Sequence, residues 1–166
     1  MKIKPGDIIF TRPNSSIFNF IRWWTKGDYG HVMLVTHVIG DHIFITEALS
    51  SGVDVNDFIW HSTKKEDYIV YRNTKVEKTL IEKLIKKTIS YHGKPYDTLA
   101  LLNFVIGRTC FGTDKAVYCS ELIYRILKDV NMIEDKLKPE KTSPADLRRL
   151  MMSDFRYEII TTKYYK

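Results

Sequence analysis

HVMLVTHVIGDHIFITEA, residues 31–48, is the stretch whose reading decides the fold. Two β-branched, apolar runs, His31–Val38 and His42–Ala48, flank Ile39-Gly40-Asp41, and that pattern predicts an antiparallel hairpin. On its N-terminal side, Pro5-Gly6-Asp7 predicts a turn and Ile8-Ile9-Phe10 a short buried strand. Ser15 and Ser16 are suited to cap a helix that begins near Ile17. Ile17 to Trp24 is apolar nearly all round, so this helix is either buried or lines a groove. Lys26 to Gly30 reads as a loop. On the C-terminal side, Ser50-Ser51-Gly52 turns the chain, Val53 to Val55 adds a short strand, and Tyr68 to Tyr71 adds another.

Beyond residue 75 the period changes. Val76, Leu80, Ile81, Leu84, Ile85 and Ile89 make a helical stripe, which His92-Gly93-Lys94-Pro95 ends. Asp97 to Ile106 and Tyr118 to Val130 read as two further helices. Ser143-Pro144 carries the Ser N-cap and Pro N1 signature of a fourth, running to about Met151. Phe155 to Ile160 has the makings of a closing strand. Strands first and helices after argue for an α+β domain, with helices packed on an antiparallel sheet. At 166 residues and 44% hydrophobic composition, one domain over 1–166 is the natural count.

The net charge of +6 raises nucleic acid or an anionic surface as a partner. The bases are dispersed, however, with Lys64-Lys65, Lys86-Lys87 and Arg148-Arg149 as pairs rather than a tract. Two cysteines, Cys110 and Cys119, make no disulfide framework. Without CxxC or HExxH, the sequence offers no metal motif. No stretch approaches the roughly 18 apolar residues of a membrane span. The N-terminus lacks the apolar run of a signal peptide, so a soluble cytoplasmic protein is expected.

Cys119 opens its predicted helix. Free N–H groups and a partial positive charge at a helix N-terminus favour thiolate and can hold an oxyanion. The same residue also begins the apolar stripe Leu122, Ile123, Ile126, Leu127 and Val130, so spacing leaves plain core packing open. His31 opens a strand after a Gly-containing loop, where side chains tend to face a cleft. His37, His42, His61 and His92 compete as bases, and spacing does not choose among them. His37 and His42 read as solvated hairpin-tip residues, and His92 suits a helix C-terminus.

Glu47 sits inside an apolar strand, where an ionisable group needs a partner. A three-residue turn over 39–41 puts Val38 opposite His42 and Met33 opposite Glu47. Glu47 and His31 then share a face as diagonal neighbours, roughly 7–8 Å apart at Cα. A two-residue turn moves Glu47 to the other face. Glu121 is a rival carboxylate, but its first-turn position suits the helix dipole without further role.

The pieces Gly6-Asp7-Ile8-Ile9, Tyr29-Gly30-His31-Val32-Met33-Leu34-Val35, Ile45-Thr46-Glu47-Ala48 with Gly52-Val53, Tyr118-Cys119-Ser120-Glu121-Leu122-Ile123 and Ser143-Pro144-Ala145-Asp146-Leu147 follow in an order that spans nearly the whole chain. In that order the chain resembles the permuted papain-like, YiiX-like group, relatives of the NlpC-type cell-wall peptidases and of lecithin:retinol acyltransferase. The resemblance implies a circularly permuted papain-like fold, with histidine before cysteine. It implies Cys119 as nucleophile, His31 as base and Glu47 as the group that orients it. Tyr118 and Tyr29 are possible accessory groups, the backbone N–H of Cys119 is the expected oxyanion donor, and no metal or cofactor is needed. Two positions depart from the group's pattern: Gly30 where a serine commonly precedes the histidine, and Met33 where a glycine is common.

The reaction so implied is acyl transfer through a thioester, on a small peptide, an amino-acid amide or a cell-wall-type fragment. An acyltransferase or lipid esterase, with Ile17, Phe18, Phe20, Trp23 and Trp24 lining an acyl or membrane-facing groove, is the alternative. A third is an inactive binding module, against which an intact Cys119, His31 and Glu47 set argues.

Overall fold

The structure is a computed structural model that describes residues 2–59, 61, 64–97 and 116–163. Six strands form one antiparallel sheet: β1 (Ile8–Arg12), β2 (His31–Ile39), β3 (His42–Leu49), β4 (Gly52–Asp57), β5 (Asp67–Asn73) and β6 (Tyr157–Lys163), in the order β4-β3-β2-β1-β5-β6. The described α-helices are α1 (Ser16–Thr25), α2 (Lys78–Ile89), α3 (Cys119–Asp129) and α4 (Pro144–Ser153). The α+β reading is therefore observed. Residues 98–106 of the helix expected from Asp97, and Cys110, lie outside the described residues.

Alternation along the strands divides the core between the two sheet faces. Ile8, Phe10, Val32 and Leu34 join Leu122, Ile123, Ile126 and Leu127 of α3 in the larger cluster. Ile9, Met33, Val35, Ile45 and Val70 form a smaller one with Phe58. The α3 stripe is buried from Cys119 to Leu127, as its spacing predicts, and the helix packs against β2 and β3.

Helix α4 starts as its sequence predicts. Ser143 Oγ accepts from the backbone N–H of Asp146 at 3.1 Å, the Asp146 carboxylate accepts from the Ser143 backbone N–H at 3.1 Å, and Pro144 stands at N1. Ser15 precedes α1 as expected, but its side chain makes no capping hydrogen bond.

Two expectations are corrected. The β2–β3 turn has two residues, not three: Ile39 pairs His42, and Gly40 takes the positive φ of 61° that the first turn position needs. The pairing sum near the turn is therefore 81, which alone would send Glu47 to the wrong face. A β-bulge between Val35 and His37 absorbs one residue, so Val35 pairs Ile45 and Leu34 pairs Thr46. The second correction concerns α1: Phe18 lines the cavity beside His31, but only Ile21 is buried and Ile17, Phe20, Trp23 and Trp24 are exposed. Packing claims one narrow edge of that helix.

Candidate active site

The bulge restores the register in which Glu47 lies diagonal to His31, and the two side chains meet. His31 Nε2 and Glu47 Oε2 are 2.6 Å apart, with both residues fully enclosed. Asn56, on the neighbouring strand β4, donates to Glu47 Oε1 at 3.1 Å. His61 reaches the same carboxylate through Nε2, at 3.2 Å to Oε2 and 3.3 Å to Oε1. Its other nitrogen, Nδ1, lies 3.1 Å from Glu66 Oε2. The result is a buried chain, Glu66–His61–Glu47–His31, in which carboxylates and imidazoles alternate. The rings of Phe18 and His61 lie 5.5 Å and 6.0 Å from the His31 ring.

Gly30 has a geometric reason. A Cβ there would stand 3.0 Å from the Phe18 Cβ and 3.1 Å from its carbonyl oxygen. The departure from the group's usual serine is thus matched to the close approach of α1.

Cys119 is the first residue of α3 and is buried. Burial pushes the His31 imidazolium toward deprotonation. Nearby Cys119, and then the Glu47 carboxylate, overcome that and hold its pKa up to about 10. His31 Nδ1 is buried and makes no hydrogen bond. Burial also opposes the charge on Glu47, but the hydrogen bonds and charges of His31 and His61 pull its carboxyl well below the usual range. His61 is raised: its burial is outweighed by Glu47 and Glu66.

The remaining candidates are placed as follows. The Tyr118 hydroxyl donates to the Pro139 carbonyl at 3.2 Å. Tyr29 packs near Phe10, with the Arg148 guanidinium 5.2 Å above its ring. Glu121 receives Arg125 at 2.8 Å, a helical ion pair. His42 is exposed and bonds Asp57 at 2.6 Å, and His37 is exposed, both as hairpin-tip residues should be. His92 is also exposed, beside Asp54.

Sequence reasoning carried His61 only as one of several rival bases and did not single out Glu66 or Tyr96. His61 and Glu66 come to Glu47 only through tertiary folding, so no periodicity marks them. Tyr96 forms a bridge with Val117, two residues before Cys119. Burial pushes its phenol up, and the Cys119 charge adds to that. A cavity of about 380 Å³ opens onto this cluster, with Arg12, Phe18, His31, Leu49 and His61 among its lining residues. His31, Glu47 and His61 also present ligand atoms within 4.8 Å of one another, a donor set of two imidazole nitrogens and a carboxylate oxygen.

Residues 2–153 match the family model described as permuted papain-like amidase enzyme, YaeF/YiiX, C92 family. The crystal structure of metalloprotein yiiX from Escherichia coli O157:H7 aligns with a TM-score of 0.72 and 19% identity, covering 99% of this chain and 100% of that one. At that identity the likeness speaks for the fold. No curated protein sequence matches.

Proposed function

The chain belongs to the permuted papain-like amidase family, and from that premise we propose that it is a cysteine hydrolase cleaving an amide bond in a small peptide or cell-wall-type fragment. The observation that carries the reading is the buried 2.6 Å contact between His31 and Glu47, beside a cysteine at a helix N-terminus. In this reading Cys119 is the nucleophile, His31 the acid–base group and Glu47 its orienting carboxylate.

With the thiol proton on His31, the Cys119 thiolate attacks the carbonyl carbon. The negative charge that develops on oxygen is met by the Cys119 backbone N–H at the start of α3. His31 gives its proton to the departing amine as the C–N bond breaks, which leaves a thioester on Sγ. A water then gives a proton to His31 and attacks the thioester. The acid leaves, and Cys119 and His31 return to their starting state. Glu47 fixes the ring through Nε2, which leaves Nδ1 for this traffic. His61 spans Glu47 and Glu66, so it offsets charge on both carboxylates and restrains the orienting group.

The test is labelling with a panel of thiol-reactive peptidyl and acyl probes, followed by mapping of the modified residue. Labelling at Cys119 that His31→Ala abolishes is the expected result. Labelling elsewhere, or at Cys119 without regard to His31, removes the nucleophile assignment. Preference for acyl esters over peptidyl amides would move the substrate class to lipids.

One observation favours a second occupant for the same cluster. Two imidazoles and a carboxylate within 4.8 Å suit a zinc-like ion, and Glu66 on the far nitrogen of His61 is the usual outer partner of a ligating histidine. The structural neighbour is itself described as a metalloprotein. His31, Glu47 and His61 would hold the ion. Bound there, it would supply Lewis-acid chemistry and take His31 out of proton transfer. Calorimetric titration with Zn²⁺ decides it: stoichiometric binding that His61→Ala removes supports the site, and heat no larger than buffer dilution excludes it.

A further inference from the structure

Helix α1 carries its apolar surface outward. Ile17, Phe20, Trp23 and Trp24 are 47%, 39%, 71% and 42% exposed, while Ile21 alone is buried. The three aromatic rings form one patch, with Phe20–Trp23, Phe20–Trp24 and Trp23–Trp24 centroids 6.1, 6.2 and 6.0 Å apart. A contiguous apolar patch on a folded surface marks an interaction site. Bases outnumber acids around it, with Asp28 just past the helix and Asp67 opposite Arg12 as the neighbouring acids. From Ile8 to Gly27 the chain has no acid and three bases, Arg12, Arg22 and Lys26. Arg12 and Lys26 are exposed and stand at the two ends of the helix. At its C-terminal end Arg149 donates to the Thr25 carbonyl at 3.0 Å while its other nitrogen pairs with Asp146 at 2.8 Å.

From these features we propose that α1 is a peripheral membrane-docking helix, which seats Ile17, Phe20, Trp23 and Trp24 in the interface of an anionic bilayer with Arg12 and Lys26 among the headgroups. Tryptophan favours that interface because its ring is apolar and its N–H is polar. A helix with apolar and aromatic residues on one face and bases around it lies in the interface plane. At ten residues α1 is about 15 Å long, half the hydrocarbon thickness, so it lies on the bilayer and does not cross it. A second copy of this chain fits less well. A two-fold contact through this helix would bring two sets of bases together with no acid on the helix to meet them. Docking also has a consequence for the cluster around Glu47. Phe18 of α1 lies against the His31 ring, so the cavity would open about one helix diameter, ~10 Å, from the headgroups. The proposal does not depend on the reaction assigned to Cys119.

The experiment is co-sedimentation of the full chain with phosphatidylcholine vesicles, with and without phosphatidylglycerol, together with tryptophan emission. Wild type is expected to bind the anionic vesicles with a blue shift, and less strongly as salt rises. The variant W23S/W24S should lose about tenfold or more in partitioning while its circular dichroism and melting stay unchanged. R12Q/K26Q should lose binding to anionic vesicles and keep the weak partitioning to neutral ones. Failure of wild type to bind anionic vesicles overturns the proposal. So does binding that W23S/W24S leaves intact, or a concentration-dependent dimer that W23S/W24S abolishes.

Discussion

At the scale of the residue, His31 is where opposing forces meet. Its burial disfavours the imidazolium, while Cys119 and Glu47 favour it more strongly and hold its pKa at about 10. The charged form is thus the one the fold stabilises. Its contribution is fully present below pH 6.5, the ordinary value, and is lost as pH rises through about 10. Ring-proton NMR should show the His31 midpoint near pH 10, and Cys119→Ser and Glu47→Gln should each bring it down. A wild-type midpoint at 6.5 would mean that burial wins. Glu47 can be tested by shape. Glu47→Gln keeps an acceptor and removes the charge, whereas Glu47→Ala removes both. Turnover should fall in the order wild type, Gln, Ala, Cys119→Ala, with Glu47→Ala lower by on the order of 10²-fold. Each variant is first checked by thermal unfolding, since a buried carboxylate also matters for stability. Full turnover in a folded Glu47→Ala would make Glu47 structural only. Residue identity made Glu47 legible, because a carboxylate in an apolar strand demands a partner. It named His61 only as a rival base and could not place it on Glu47, because that contact rests on tertiary folding.

Among the elements, β1 is the strand on which the others depend, flanked by β2 on one side and β5 on the other. A part-buried ion pair ties the residue just before it to β5: Arg72 Nε donates to Asp7 Oδ1 at 2.7 Å and Nη2 to Oδ2 at 2.6 Å. The Lys4 backbone N–H adds a third bond to Asp7. Removing the guanidinium takes the charged partner from a carboxylate that is enclosed in the folded chain. Arg72→Ala should therefore cost about 3 kcal/mol in urea unfolding, and a cost near zero would show that the Asp7 site relaxes. At α4, Ser143→Ala should cost about 1 kcal/mol by the same measurement, because the Asp146 N–H loses its acceptor. Caps and stripes of this kind are local, so they were legible: Ser143-Pro144 and the α3 stripe fall where their spacing places them. The β2–β3 hairpin was legible as a hairpin but not in register. Turn length and bulge contribute opposite shifts, and only neighbouring strands on both sides select the bulge.

Across the whole molecule the carboxylates carry the response to acid. Hydrogen bonds from Arg156 hold Asp154 below its ordinary value. Glu47 is held low against its own burial by His31 and His61. Both stabilise the folded chain above their unfolded values, 3.8 and 4.5, and lose that contribution as pH falls below them. Glu121, raised chiefly by burial, acts in the opposite sense. The thermal midpoint should drop as pH falls through about 4.5, with a shallower drop in Glu47→Gln. An equal slope for the two proteins would show that Glu47 is not part of the acid response. The α+β class, the hairpin, the α4 cap, and Cys119, His31 and Glu47 as candidates were all determined by the sequence by itself, because each depends on neighbours within a few residues or on a recurring order of motifs. Tertiary structure alone decided that Glu47 shares a face with His31, that His61 and Glu66 extend the chain behind it, and that α1 turns its tryptophans outward. Those outcomes depend on how a register shift is absorbed and on which of two apolar surfaces finds a partner. Both are settled by packing between segments far apart in sequence.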